Sequence, residues 1–183
     1  MTMLDKVVAA ITPEPSDEKI AETRAAARAM ASGVGWLTMV LDHHDEIEAA
    51  FAAVKGATTI TGRRAAQKAL GLILTGHSLA EETVIYPAMA LGDQRRHSGE
   101  AYAEQSAAKV QLAALDGLEP MSQDYLDKLE HLRAAVAHHV YEEESAWFLD
   151  LRSNADGATN SRMTRRYREE FQRYMGADDP TIG

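Results

Sequence analysis

Hydrophobic positions recur at alternating steps of three and four along most of the chain, which is the spacing of one face of an α-helix. The first sharp stripe comprises Leu37, Val40, His44, Ile47, Phe51 and Val54. Three later stripes comprise Leu70, Ile73 or Leu74, His77, Glu81, Val84 and Pro87; Ala101, Gln105, Ala108, Leu112 and Leu115; and Leu129, Leu132, Val136, His139, Glu143 and Trp147. No alternating β-branched run favours a strand. The pattern therefore predicts an all-α protein.

Glycine and proline mark the connections between these helices. Interruptions occur at residues 56–62, at Pro87 and Gly92, and at Glu119-Pro120, so we expect the third helix over about residues 97–118 and the fourth from about Ser122. Four amphipathic helices joined by short loops predict an antiparallel up-and-down four-helix bundle over residues 35–152.

Helical extensions are predicted on both sides of this bundle. Residues 1–34 contain a helix that begins near Ser16, and residues 153–183 contain a polar loop (153–160), a helix from about Ser161 to Met175 and a disordered tail (177–183). Five arginines flank the apolar stripe of the C-terminal helix. We expect this helix to pack on the acidic bundle or on a second copy of the chain, which makes a homodimer compatible with the sequence.

Polar residues interrupt the inward stripes in a repeated pattern. His77 precedes Glu81 by four residues and His139 precedes Glu143 by four, and in both copies a second glutamate follows and an aromatic stands nine residues after the histidine. Positions i and i+4 share a helix face, so each copy offers a nitrogen and a carboxylate to one point. His44 joins them from the first helix. Burying such groups unpaired costs about 1–3 kcal/mol or more each, which indicates a shared metal centre of iron, manganese or zinc.

Composition narrows the function classes further. The chain has 28 acidic and 19 basic residues and a formal charge of -9, which argues against a nucleic-acid partner. It has no cysteine, so disulfides, iron-sulfur clusters and thiol chemistry are excluded. No apolar run is long enough for a membrane span or a signal-peptide core, and we expect a soluble, cytoplasmic protein without membrane contact.

The segment from Gly35 to Arg152 resembles the hemerythrin-like, or HHE cation-binding, family. The motifs that carry the resemblance are Leu-Asp-His-His44-Asp-Glu-Ile47, His77-x-x-x-Glu81-Glu82 with Tyr86-Pro87, and His138-His139-Val-Tyr-Glu-Glu143-Glu144. The resemblance implies a bundle that encloses two irons with an oxo or hydroxo bridge. Glu81 and Glu143 would bridge the irons, and His44, His77 and His139 would be terminal ligands. Zinc or manganese is the alternative occupant.

One position departs from that family pattern. The family usually has a histidine in the third helix, where this chain has Glu104-Gln105. An amide oxygen is a weak iron ligand, so one iron would be loosely held, open to water or served by another residue. Tyr102, one turn before Gln105, could supply a phenolate; alternatively its ring is a core aromatic. Glu104 is a weaker candidate.

Neighbouring residues have two interpretations each. His43 and His138 point about 100° away from the adjacent histidines, so we expect them to support the ligands or to lie at the surface. Glu82 and Glu144 are either solvated charges or partners of the ligands.

These residues leave three hypotheses for function. The first is a non-haem di-iron protein that binds or senses a small oxidant, namely dioxygen, nitric oxide or peroxide. The second is an enzyme that disproportionates peroxide or turns over nitric oxide at the iron left open by Gln105, because catalysis at a metal requires an open coordination position. The third is a bundle with a buried polar network and no redox role.

Overall fold

The computed structural model describes residues 16–31 and 35–176, and within those ranges every regular element is helical. The α-helices are α1 (Asp17–Ala31), α2 (Gly35–Gly56), α3 (Ile60–Ala80), α4 (Tyr86–Leu91), α5 (Arg95–Ala114), α6 (Gln123–Glu142), α7 (Phe148–Asn154) and α8 (Gly157–Met175). Single π-helical turns, Glu81–Ile85 and Glu143–Trp147, join α3 to α4 and α6 to α7. A 3₁₀ turn, Leu115–Gly117, follows α5. The all-α prediction is confirmed.

Four helical segments form the antiparallel up-and-down bundle. They are α2, α3 continued by α4, α5, and α6 continued by α7. Side-chain caps start two of them. The Thr59 hydroxyl accepts the Gly62 N–H at 3.1 Å, and the Ser122 hydroxyl accepts the Tyr125 N–H at 3.2 Å. Each cap satisfies a backbone donor that has no partner within the helix. The fourth helix of the bundle therefore begins directly after Ser122, as the sequence predicted.

The bundle core consists of two apolar clusters with a polar layer between them. One cluster contains Leu37, Leu41, Met89 and Phe148, and the other contains Ile47, Leu74, Leu129 and Val136. His44 lies along α2 between Leu41 and Ile47, and it is 1% exposed. The inward stripe of α2 is buried over its whole length, as its spacing predicted.

The C-terminal region differs from its sequence-based prediction. The polar loop predicted at 153–160 is wrong, because α7 continues to Asn154 and α8 already begins at Gly157. Asp156 explains the early start: its carboxylate accepts the Thr159 N–H at 2.7 Å and caps the helix. Gly176 ends α8 with a left-handed φ of 64°.

Helix α8 packs along α2 and α3 of its own chain. Two glycines allow this close approach. A Cβ atom on Gly76 would lie 3.1 Å from Met175 Sδ, and one on Gly35 would lie 2.5 Å from Thr164 Cγ2. The arm is therefore part of the same packed unit as the bundle, and the homodimer stays a prediction.

Helix α1 crosses α2 and the π turn after α6. Its arginines face the acidic surface of α2, where Arg24 contacts Glu48 at 2.8 Å and Arg28 contacts Asp42 at 2.9 Å. None of the helices in the described ranges combines the length and the apolar character that crossing a bilayer requires. The tail predicted to be disordered (177–183) lies outside the described residues.

Candidate metal centre

Three histidines direct their Nε2 atoms at two buried glutamates in the polar layer. His77 Nε2 lies 3.2 Å from Glu81 Oε2, and His139 Nε2 lies 3.2 Å from Glu143 Oε1. His44 Nε2 lies 3.3 Å from Glu143 Oε2 and 4.0 Å from Glu81 Oε1. The two carboxylates therefore lie between imidazoles from three different helices.

Four of these residues lie close enough together to bind one cation. His44, His77, Glu81 and Glu143 each offer a ligand atom, all within 4.8 Å of one another. His139 lies beside this group through its contact with Glu143. Nitrogen and carboxylate oxygen together suit iron, manganese or zinc.

A phenol that the sequence analysis did not assign to the centre lies in the middle of the cluster. The hydroxyl of Tyr86, a residue with 0% exposure, lies 2.8 Å from Glu143 Oε1 and 3.1 Å from Glu81 Oε2. His139 Nε2 is also 3.1 Å from this oxygen. Three prospective ligand groups thus converge on the phenol oxygen of Tyr86.

The π turns bring Tyr86 into this position. In a regular α-helix, a residue five positions after Glu81 points about 140° away from it. Here the Tyr86 N–H bonds to the Glu81 carbonyl, five residues back, and the extra residue in the turn places both side chains on the inner face. The second repeat has the same turn, with the Phe148 N–H bonded to Glu143. Phe148 has no hydroxyl, and its ring packs edge-on against Trp36.

Two residues of α5, the third helix of the bundle, differ in their position relative to the centre. The Gln105 amide donates to Glu81 Oε2 at 2.6 Å and to the Tyr86 oxygen at 2.5 Å. The Tyr102 hydroxyl instead donates to the Glu82 carbonyl, and the residue is 37% exposed. The structure therefore places Gln105 inside the cluster and Tyr102 outside it.

Each of the three histidines has a partner on its other ring nitrogen. His44 Nδ1 lies 2.8 Å from Glu144 Oε1, and His139 Nδ1 lies 2.8 Å from Glu104 Oε2. A proton on Nδ1 donates to the carboxylate in both pairs, which leaves the Nε2 lone pair facing the cluster. Glu144 is 1% exposed, so it is not a solvated charge.

The partner of His77 comes from outside the bundle. The hydroxyl of Tyr167, on α8, lies 3.1 Å from His77 Nδ1 and 2.9 Å from His43 Nδ1. It can accept from His77 and donate to His43, so one phenol orients two rings. Tyr167 is fully buried.

The other histidines do not reach the cluster. His97 stacks on Trp147 with ring centroids 5.3 Å apart and pairs with Glu100. His131 is exposed, and His138 is half-buried.

Contacts within the cluster set its charges. Burial alone would lower the pKa of the His44 imidazole, but contacts with Glu143 and Glu144 raise that pKa to about 9. Burial and the neighbouring charge of Glu143 raise the pKa of Glu81 well above its usual range. Burial would also raise the pKa of Glu143, but the charge on His139 lowers it. The protein groups alone thus hold protons that a bound cation would displace.

Two groups of this centre, the hydroxyls of Tyr86 and Tyr167, were not among the ligands or partners predicted from the sequence. Tyr86 stood out as the aromatic nine residues after His77 and in the motif Tyr86-Pro87, but neither pattern indicated a ligand. The matched residue of the second copy, Phe148, has no hydroxyl. Tyr167 belonged to an apolar stripe whose packing partner the sequence does not specify. Only the tertiary structure brings its hydroxyl to His77.

His43 is buried beside the centre without facing it. Its ring stacks on Phe171 with centroids 3.9 Å apart. Burial and the charge of His44 lower the pKa of His43 from 6.5 to about 4. Between these values the unfolded chain carries more protons on this imidazole than the folded chain does.

Protonation of His43 in the unfolded chain should therefore lower the stability of the fold as the pH falls. As the pH drops from 6.5 to 4, we expect wild type to lose about 2–3 kcal/mol more unfolding free energy than His43→Asn, which keeps a polar group near Nδ1. Urea denaturation at several pH values measures this. The exposed-site control, His131→Asn, should follow wild type. Equal losses in wild type and His43→Asn would contradict the assignment.

Comparison with known proteins agrees with this geometry. Residues 37–151 match the family described as the hemerythrin HHE cation-binding domain. A DNA nickase from Nostoc sp. strain PCC 7120 is 32% identical over 99 residues, which cover 54% of this chain and 27% of that protein. The chain therefore spans about a quarter of the length of that relative. No solved structure matches the chain significantly. Because the match covers the bundle that carries the His/Glu cluster, this chain belongs to the hemerythrin HHE cation-binding family.

Proposed function

We propose that the cluster binds two metal ions, with iron as the first candidate, and that the loaded protein binds, senses or processes a small oxidant such as dioxygen, nitric oxide or peroxide. One observation carries the proposal. Four buried atoms at the centre make no hydrogen bond of acceptable geometry: His44 Nε2, Glu81 Oε1, Glu143 Oε2 and Gln105 Oε1. Leaving such atoms unsatisfied costs about 1–3 kcal/mol each, and more for a charge. Bound cations would remove that cost.

The donor set divides between two ions. His44 and His77 would hold one ion and His139 the other, and the carboxylates of Glu81 and Glu143 would be available to both. Iron bound there would supply electron exchange with the oxidant. The chain's own contribution is to hold Nε2 lone pairs and carboxylates in a buried layer between the two apolar clusters.

Tyr86 completes this set in place of the family's third-helix histidine. Its oxygen lies within 3.1 Å of His139 Nε2, and the Gln105 amide donates to it. That donated hydrogen bond favours an anionic phenolate oxygen. Burial and the charge of Glu143 raise the pKa of Tyr86, which keeps the phenol protonated until a cation supplies an opposing charge. Gln105 and Tyr86 together thus replace one imidazole by a phenolate and its hydrogen-bond donor.

An optical absorption spectrum tests whether Tyr86 binds iron as a phenolate. The purified protein loaded with ferric iron should show a visible phenolate-to-iron charge-transfer band, and Tyr86→Phe should lose it while retaining at least one iron per chain. Tyr102→Phe is the matched control, because Tyr102 lies on the neighbouring helix and contacts the Tyr86 ring from outside the cluster. A band that survives in Tyr86→Phe and disappears in Tyr102→Phe would assign the ligand to Tyr102.

Tyr167 should strengthen metal binding without touching the metal. Tyr167→Phe leaves His77 Nδ1 without its partner, so we expect metal affinity to fall about 10- to 100-fold. Competition with a chelator, followed by metal analysis, measures the change. The control is Tyr174→Phe, at an exposed position on the same helix. Equal affinity in wild type and Tyr167→Phe would show that α8 does not orient the ligand.

Peroxide consumption separates a binder from an enzyme. The iron-loaded protein should consume peroxide at least tenfold faster than the same concentration of free iron if the second hypothesis holds. Gln105→His should then slow consumption, because the imidazole would add a ligand beside Tyr86 and leave less room at the metal for peroxide. A rate equal to that of free iron, with an oxidant-dependent change in the optical spectrum, favours binding or sensing. No spectral response to peroxide, dioxygen or nitric oxide would overturn the proposal.

The name of the Nostoc relative raises nucleic-acid cleavage as an alternative. That protein is matched over about a quarter of its length. The net charge of -9 opposes a polyanion, and the arginines Arg166 and Arg173 of α8 are paired with Glu170. These observations favour the small-oxidant proposal.

A further inference from the structure

A half-open cavity of about 450 Å³ lies between α1, α2 and α6. Its apolar wall includes Ile20 and Ala25 from α1, Ile47 and Phe51 from α2, and Val136 and Val140 from α6. The four residues of α2 and α6 are each at most 6% exposed, so the inner wall belongs to the core. Helix α1 forms a partial roof, in which Ala21 and Ala25 are exposed.

The inner end of the cavity is formed by His44, a prospective metal ligand. Arg24, which also lines the cavity, contacts Glu144 at 3.1 Å, and Glu144 contacts His44 Nδ1 at 2.8 Å. The cavity therefore borders the centre on the side opposite to α8.

The volume exceeds what the proposed oxidants need. A water molecule occupies about 30 Å³ in the liquid, and dioxygen, nitric oxide and peroxide are of similar size. The cavity is more than ten times larger and falls within the range of about 300–1,000 Å³ typical of pockets for organic ligands. Most of the wall is apolar, so water in the cavity finds few hydrogen-bond partners there and an apolar molecule would displace it.

The charged groups of the wall are already neutralised. Arg24 pairs with Glu48 and Glu144, and Arg28 pairs with Asp42. An anionic ligand would have to displace these carboxylates, and a cationic ligand would meet the arginines. The wall thus favours a molecule without net charge.

The roof is a feature of this chain rather than of the family domain. Helix α1 ends at Ala31, whereas the family match begins at residue 37. Without α1 the groove between α2 and α6 would be open to water along its length. The helix covers part of it and leaves a half-open cavity.

We propose that this cavity binds a small, uncharged, mainly apolar organic molecule next to His44. The proposal rests on size, wall chemistry and the position of α1, and it does not depend on which metal the centre holds. Its failure and that of the metal proposal are therefore distinguishable.

The test uses the full-length, metal-free chain and the neutral fluorophore N-phenyl-1-naphthylamine. We expect saturable fluorescence enhancement with one site per chain. The anionic fluorophore 8-anilinonaphthalene-1-sulfonate should bind at least tenfold more weakly. No saturable enhancement, or tighter binding of the anionic probe, would overturn the proposal.

Two substitutions locate the probe. Ala137→Phe on α6 and Ala25→Phe on α1 both place a ring in the cavity, so each should weaken binding of N-phenyl-1-naphthylamine at least tenfold. Ala134→Phe is the matched control, since Ala134 is half-buried on α6, like Ala137, but does not line the cavity. Circular dichroism and Tm establish that each variant is folded. Because α1 lies outside the bundle, Ala25→Phe remains informative if Ala137→Phe fails to fold. Wild-type affinity in a folded Ala25→Phe or Ala137→Phe variant would place the probe elsewhere and contradict the assignment.

Discussion

The structure depends on how the polar groups buried in the middle of the helical bundle obtain hydrogen-bonding or ionic partners. Glu81 and Glu143 are both 0% exposed, and an unpaired carboxylate at such a site would cost several kcal/mol. The fold provides imidazoles from three helices, a phenol and an amide, but the inner atoms of this set still face one another without sufficient donors. Apolar residues fill the bundle on both sides of the layer, so no further protein side chain from those sides replaces the missing partners. A cation is the chemical group that satisfies nitrogen lone pairs and carboxylates at once.

The spacing of hydrophobic residues predicted most of the fold because amphipathic helices encode their buried face locally. The stripes also identified His44, His77 and His139 together with Glu81 and Glu143, since each occupies a position where an apolar side chain would otherwise lie. A regular 3.6-residue period could not place Tyr86, because that period is interrupted after Glu81. The π turn adds one residue and changes which side chain points inward. Such a turn is a response to the packing of the whole bundle, so its position does not follow from local propensity.

The contributions of α1 and α8 could not be predicted for a different reason. Their stripes specify that one face is buried but not against which surface. The close approach of α8 to the bundle occurs at Gly35 and Gly76, where an added Cβ would overlap Thr164 and press against Met175, respectively. In sequence, Gly35 is indistinguishable from an ordinary helix start, and Gly76 from any other glycine inside a helix. Their meaning appears only when both surfaces are known.

The two extensions also make the centre chemically asymmetric. Two imidazoles, His44 and His139, donate to carboxylates, which increases the electron density on the opposite ring nitrogen. The third, His77, contacts the neutral phenol of Tyr167, so its Nε2 is the weaker donor. Arg24 from α1 then withdraws part of the charge that Glu144 offers to His44. Both adjustments come from residues outside the segment that matches the family, so bundles with the same ligands but different extensions would differ in how strongly each imidazole donates. The extensions are thus the parts of this chain that can tune a shared ligand set without changing it.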